Sequence, residues 1–251
     1  MAMERLLDHK HNAVDRVLHA AAMTSWHFMM RSAEYCAKLA KGAFDTDKVL
    51  RMKDAKFFIK GQPTLNYARA DEVRVTFGKT KTTGGGEVRA HFATNHSCCV
   101  VRALAELFIH GDSTDAEAPL FAWPKGTDMR GEGVRYVDMV ALIKRAARYC
   151  GLEDEFYSSH SQRRGGASGY LLSGAMNLEE VRVYGRWKSL SSLRLYIEPG
   201  MGALAVAAQA KVLSGQEDVN MMQMEPPRER DFMRMRAAKA VKEMQKGAPS
   251  R

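Results

Sequence analysis

The chain is poor in the features that mark secreted, metal-held or membrane-bound folds. Only four of its 251 residues are cysteines, at Cys36, Cys98, Cys99 and Cys150, and no two are spaced C-x-x-C. That spacing argues against a zinc site, and the adjacent pair Cys98-Cys99 reads as interior residues of an intracellular, reduced protein. No apolar run is long enough to span a bilayer. The first residues, MAMERLLDHKHNAV, carry charge throughout and lack the apolar stretch of a signal peptide. Nothing repeats at a solenoid period. Gly78-Lys79-Thr80 invites a P-loop reading, but the upstream glycine that such a loop requires would fall at Val73.

What remains is an ordinary globular composition with a basic surplus. Hydrophobic residues make up 45% and charged residues 27%, and the net charge is +9. A pI near 9.4 favours a polyanionic partner, because basic surfaces displace counterions from a phosphate backbone. Apolar spacing predicts helix from Glu4 to about Lys41, with Ser25 as N-cap of a second helix that Gly42 closes. A strand is expected at Lys56–Lys60. Alternation at Val73, Val75, Phe77 and at Val88, Ala90, Phe92, around Gly84-Gly85-Gly86, predicts a β-hairpin with a loose connection. Helices are expected from Ser97 to about His110, then over Tyr136–Tyr149, His160–Leu172 and Leu178–Tyr184. A short helix holds Tyr196, and Ala203–Leu213 reads as an apolar helix. The fold class is therefore α+β, mostly α-helical, with a small antiparallel sheet. Residues 1–215 form the main domain, 216–227 a linker ending in Pro226-Pro227, and 228–251 a charged helical tail.

The chemistry concentrates between His160 and Tyr196. His160 and Arg163 lie one helical turn apart and would present an imidazole and a guanidinium together, a ready site for a phosphate. Tyr196 downstream offers a nucleophilic oxygen that needs local activation. Tyr170 and Tyr184 lie in the same region and read as interior aromatics. His96 and the other histidines read as structural or surface residues, and the 16 methionines as core filler.

The order H-x-x-R, G-x-W, Tyr resembles the catalytic domain of the tyrosine recombinases, the phage-integrase and Cre-like strand-exchange enzymes. Upstream, Arg31-Ser32-Ala33-Glu34 is similar to the family's Arg-x-x-Glu, with Met29-Met30 where the family usually has Gly-Leu. The phrase GKTKTTGGG is similar to the family's hairpin, which places the lysine at Lys81 and a flanking basic residue at Lys79. Trp187 stands where many members have His and Cre-like members have Trp. The likeness spans roughly Val14 to Gly215.

The resemblance implies a set of roles. Tyr196 would attack a DNA phosphodiester. Arg31 and Arg163 would grip the non-bridging oxygens, with Glu34 holding their surroundings. Lys81 would protonate the leaving 5′ oxygen, His160 would assist proton transfer, and Trp187 would donate one hydrogen bond and pack the site. Lys79, Arg164, Arg186 and Lys188 would touch DNA. The resemblance implies no cofactor, since the covalent link conserves the phosphodiester energy and arginines carry the charge. It implies double-stranded DNA as partner, a homo-oligomer (tetramer) on that DNA, no membrane, and an intracellular location with DNA. The family's separate DNA-clamping domain is expected to be absent here or supplied by a partner. Two other readings stay open: a type IB topoisomerase-like enzyme, and an inactive DNA-binding remnant of a mobile element.

Overall fold

The computed structural model describes residues 2–37, 48–78, 84–111, 115–129 and 132–197. The expectations at Gly42, Lys79, Lys81, Ala203–Leu213, the linker 216–227 and the tail 228–251 lie outside those residues.

A short helix α1 (Ala2–Leu6) precedes α2 (Ala13–His27). Asn12 caps α2 by accepting from the Asp15 amide, which satisfies a donor that the first turn leaves open. The sequence HKHN thus separates two helices where a continuous one was expected. Ser25 does not start a new helix. It is buried inside α2, and its hydroxyl donates back to the Ala22 carbonyl at 3.1 Å, the intrahelical alternative open to any Ser. After α2 the chain turns sharply through Met29, whose φ is +48°, and Ser32–Glu34 form one 3₁₀ turn in place of the expected helix.

Four strands follow: β1 (Ala55–Ile59), β2 (Gln62–Thr64), β3 (Glu72–Phe77) and β4 (Glu87–Phe92). They pair antiparallel in the order β2-β1-β3-β4. Period-two alternation places Val73, Val75 and Phe77 in the core. The β3–β4 ladder runs from Glu72 opposite Phe92 to Phe77 opposite Glu87.

The remaining helices are α3 (Val100–His110), α4 (Tyr136–Tyr149), α5 (His160–Leu172) and α6 (Leu178–Tyr184), and residues 190–197 are helical as well. On α4 the buried positions Met139, Leu142, Ile143, Ala146 and Ala147 form the i, i+3, i+4, i+7, i+8 stripe of an amphipathic helix; Val137 faces solvent.

Two apolar cores result among the described residues. The larger joins α2, α3, α4, the inner sheet face and the turn holding Leu120, Phe121 and Trp123. The smaller gathers Ala167, Val181, Trp187, Leu193 and Ile197, and its one upstream member is Met29. Phe28 and Met30 belong to the first core and Met29 to the second. The left-handed turn at Met29 therefore sends alternate side chains into different cores and leaves Arg31 at the seam. Helix α5 reaches this seam by crossing α2 closely: a Cβ at Gly166 would sit 2.2 Å from the Trp26 carbonyl oxygen. The glycines of RRGGASG thus bring His160 and Arg163 to the segment that carries Arg31.

Candidate active site

The site is built on three chain segments: the turn at 28–34, the first turn of α5, and Gly185-Arg186-Trp187 leading into the helix over 190–197. Arg163 stands at its centre with only 1% of its surface exposed. One terminal nitrogen, Nη1, donates to the Met29 carbonyl, and the other donates to the Gly185 carbonyl at 2.7 Å. Its guanidinium lies 3.8 Å from the centre of the Trp187 ring, a cation–π stack in a desolvated setting. Burial, and then the nearby Arg31 charge, pull its pKa down to about 9. Its Nε–H finds no acceptor.

Tyr196 sits on the helix over 190–197. Its ring is edge-on to Trp187 at 5.4 Å, 6.1 Å from the His160 ring, and 5.7 Å from the Arg163 guanidinium carbon. His160 is exposed at the start of α5, and Trp187 is buried. A Cβ on Gly185 would lie 1.8 Å from the Trp187 ring, so only glycine lets the indole fold back over Arg163.

Arg31 keeps about a third of its side chain exposed, while Glu34 is nearly covered. The carboxylate accepts from the Arg31 amide at 2.9 Å and from its guanidinium at 3.3 Å. Arg31 Nη2 also donates to the Arg186 carbonyl at 3.2 Å. Two guanidinium groups, Arg31 and Arg186, thus share the single carboxylate of Glu34, and Arg163 beside them is held by carbonyls.

The structure therefore gathers Arg31, Glu34, His160, Arg163, Trp187 and Tyr196 in one place. Lys79 and Lys81 fall outside the described residues. Arg164 is partly buried on α5, and Lys188 is exposed beside the site. Arg186 departs from its expected place on a DNA surface. Its side chain is wholly buried, donates to Glu34 at 2.7 Å and to the Phe28 carbonyl at 3.3 Å, and lies 3.7 Å over the Phe77 ring. An interior carboxylate, not phosphate, is its partner here.

The other tyrosines are held away from this role. Tyr184 Oη lies 2.7 Å from His91 Nε2. His27 donates from Nε2 to the Cys98 carbonyl at 2.9 Å, so its Nδ1 accepts from the Tyr170 hydroxyl at 3.0 Å. Burial pushes Tyr170 up to about 12 and Tyr184 higher, and it lowers both histidines, His91 to about 4. The sequence reading missed this His27–His91–Tyr170–Tyr184 cluster. Its members lie in four separate elements, and no local spacing relates them.

No family model and no curated protein matches the sequence. Solved structures do match by shape. One is the XerH site-specific recombinase bound to palindromic difH substrate, a post-cleavage complex, with a TM-score of 0.51 and 18% identity over 83% of this chain. Another is the pre-cleavage complex of XerH with difH, with a TM-score of 0.48 and 18% identity over 78% of this chain. The chain spans about half the length of these recombinases, 51% and 47%. With the helices of the seam, the four-stranded sheet and the first of these neighbours in agreement, the chain has the fold of a tyrosine-recombinase catalytic domain.

Proposed function

We propose that this protein cuts and rejoins double-stranded DNA through a tyrosine, as a site-specific recombinase or integrase of a mobile element. The observation that carries the reading is the meeting of Tyr196, His160 and Trp187 around the buried guanidinium of Arg163. The Tyr196 oxygen attacks the scissile phosphorus as His160 assists removal of its proton. The bond from phosphorus to the 5′ oxygen breaks, and that oxygen takes a proton from Lys81. A 3′-phosphotyrosyl link and a free 5′-hydroxyl result, and reversal of the step on a second strand rejoins DNA.

Arg31 and Arg163 neutralise charge that grows on the non-bridging oxygens in the transition state. The surplus of guanidinium over carboxylate and the unmet Nε–H of Arg163 both suit an incoming anion. The net charge of +9 supplies general attraction to DNA. Assembly as a tetramer on DNA, at whatever cellular site holds that DNA, belongs to the same proposal.

The test is a pool of nicked suicide duplexes of randomised sequence, read on a denaturing gel. The wild-type chain should become covalently linked to DNA, and recovery of that DNA defines the preferred sequence. Tyr196→Phe should abolish the adduct and leave binding nearly intact. An adduct that survives Tyr196→Phe moves the nucleophile elsewhere. Relaxation of supercoiled plasmid with no strand exchange favours the topoisomerase-like alternative, and DNA binding with no adduct favours the inactive remnant.

A further inference from the structure

We infer that Arg186 is a positioning residue for both phosphate-binding arginines, acting through the turn it occupies and through Glu34. This rests on the proposed strand-cleavage reading of the same site. Arg186 has a φ of +60°, a left-handed conformation that costs a side-chain-bearing residue on the order of 1 kcal/mol or more and persists only where its surroundings enforce it. The enforcement is visible. Nη2 bonds Glu34, Nη1 bonds the Phe28 carbonyl, and the guanidinium lies on the Phe77 ring. The side chain therefore ties the 185–187 turn to the 28–34 turn and to β3.

What the tie accomplishes follows from the backbone next to it. Two successive carbonyls of the turn each hold one site arginine: Gly185 accepts from Arg163 and Arg186 accepts from Arg31. The next residue, Trp187, stacks on Arg163. Glu34, gripped by Arg186 at one oxygen, also holds the Arg31 amide and guanidinium. Apart from the Met29 carbonyl's hold on Arg163, the grips on the two arginines thus run through the turn or through the carboxylate that Arg186 fixes. A side chain that reaches no substrate sets where two phosphate ligands stand, in the manner of outer groups that orient first ligands. Arg186 also competes with Arg31 for the Glu34 carboxylate, which keeps Arg31 available to an anion.

The test compares Arg186→Met and Arg186→Lys with Arg31→Ala on two forms of the duplex recovered above, one with the normal phosphodiester and one with a neutral methylphosphonate at the scissile position. On the phosphodiester, Arg186→Met should slow adduct formation by roughly 10- to 100-fold, a loss typical of outer-group mutations. On the methylphosphonate, which needs less positive charge, the defect should shrink to within about threefold, as for Arg31→Ala. Arg186→Lys, which retains one bond to Glu34, should lie between wild type and Arg186→Met. Equal loss on both substrates makes the role merely structural, and an undiminished rate on the phosphodiester removes it. Inorganic sulfate, titrated by calorimetry, supplies a readout independent of cleavage. Arg186→Met should bind it about tenfold more weakly, as Arg31→Ala does, and unchanged affinity overturns the inference even if the wild type never forms an adduct. Should Arg186→Met not fold, Glu34→Gln carries the same expectations at the other end of the contact.

Discussion

At the scale of single residues, the site places charge where water is scarce. Arg163 is buried, and the proposed chemistry needs it cationic; it donates to two carbonyls and stacks on an indole, contacts that favour the charged form. Hydrogen bonds from a charged group contribute about 1.5–3 kcal/mol each, enough to offset part of its desolvation. The residue type disclosed this chemistry in advance: a guanidinium beside an imidazole, with a tyrosine downstream, can be read without coordinates. Arg186 could not be read that way. Its partner Glu34 lies 152 positions earlier, and an arginine beside Lys188 looks like any surface cation until the positive φ turns it inward. The histidines yield to the same burial. His91 falls from 6.5 to about 4, and His27 falls as well, so each is neutral when folded and takes protons more readily when unfolded. The neutral cluster contributes its full stability above pH 6.5 and loses it as pH falls toward about 4. For His91 this amounts to roughly 3 kcal/mol. Urea midpoints measured at pH 7.5 and at pH 5 should therefore differ markedly, and His91→Gln should narrow the difference; an equal drop in that variant would place the acid sensitivity elsewhere.

At the scale of elements, apolar period served well wherever a helix or strand buries one face. α4, α5 and α6 stand at their expected bounds and β3 alternates as expected, whereas on β4 the expected apolar face is turned out, with Val88 and Phe92 exposed to solvent. The failures fall where short-range polar bonds outweigh period. Asn12 starts α2 late, and Glu34 folds back on the Arg31 amide to make a 3₁₀ turn where a helix was expected. β2 is only three residues with little burial, too short to leave an alternating pattern. Met29 stands where the resembled family favours glycine, and its φ of +48° explains that preference. The crossing of α2 and α5 is the element-level feature most open to test. Gly166→Ala would drive a methyl group into the backbone oxygen of Trp26, and overpacking of this kind costs about 1–3 kcal/mol. The variant should melt several degrees lower and form adducts more slowly, whereas Gly174→Ala, with open space around it, should keep the wild-type rate even if its positive φ lowers the melting temperature. Equal adduct rates for the two would mean that the crossing does not set the site.

At the scale of the whole molecule, the described residues form two cores of unequal size. The smaller is formed by chain from Ala167 onward together with Met29, and Tyr184 packs against both. Composition and charge foretold a basic, mostly helical protein, but no property of the sequence announced that its apolar residues would divide this way. Unequal cores need not melt together, since proteins open in cooperative units of differing free energy. The unit that holds Trp187 and Tyr196, the proposed nucleophile, is the smaller one. Amide exchange should accordingly be faster in α6 and in residues 190–197 than in α2 and α3. Under rising urea, adduct formation should vanish while the larger core still gives a near-native helical signal; coincident midpoints would show a single cooperative unit. Under the proposed function, such a molecule would carry a built-in safety catch. A partly opened chain would keep its net positive charge and its hold on DNA but would already have disassembled its blade, so damage to the protein would leave the DNA uncut.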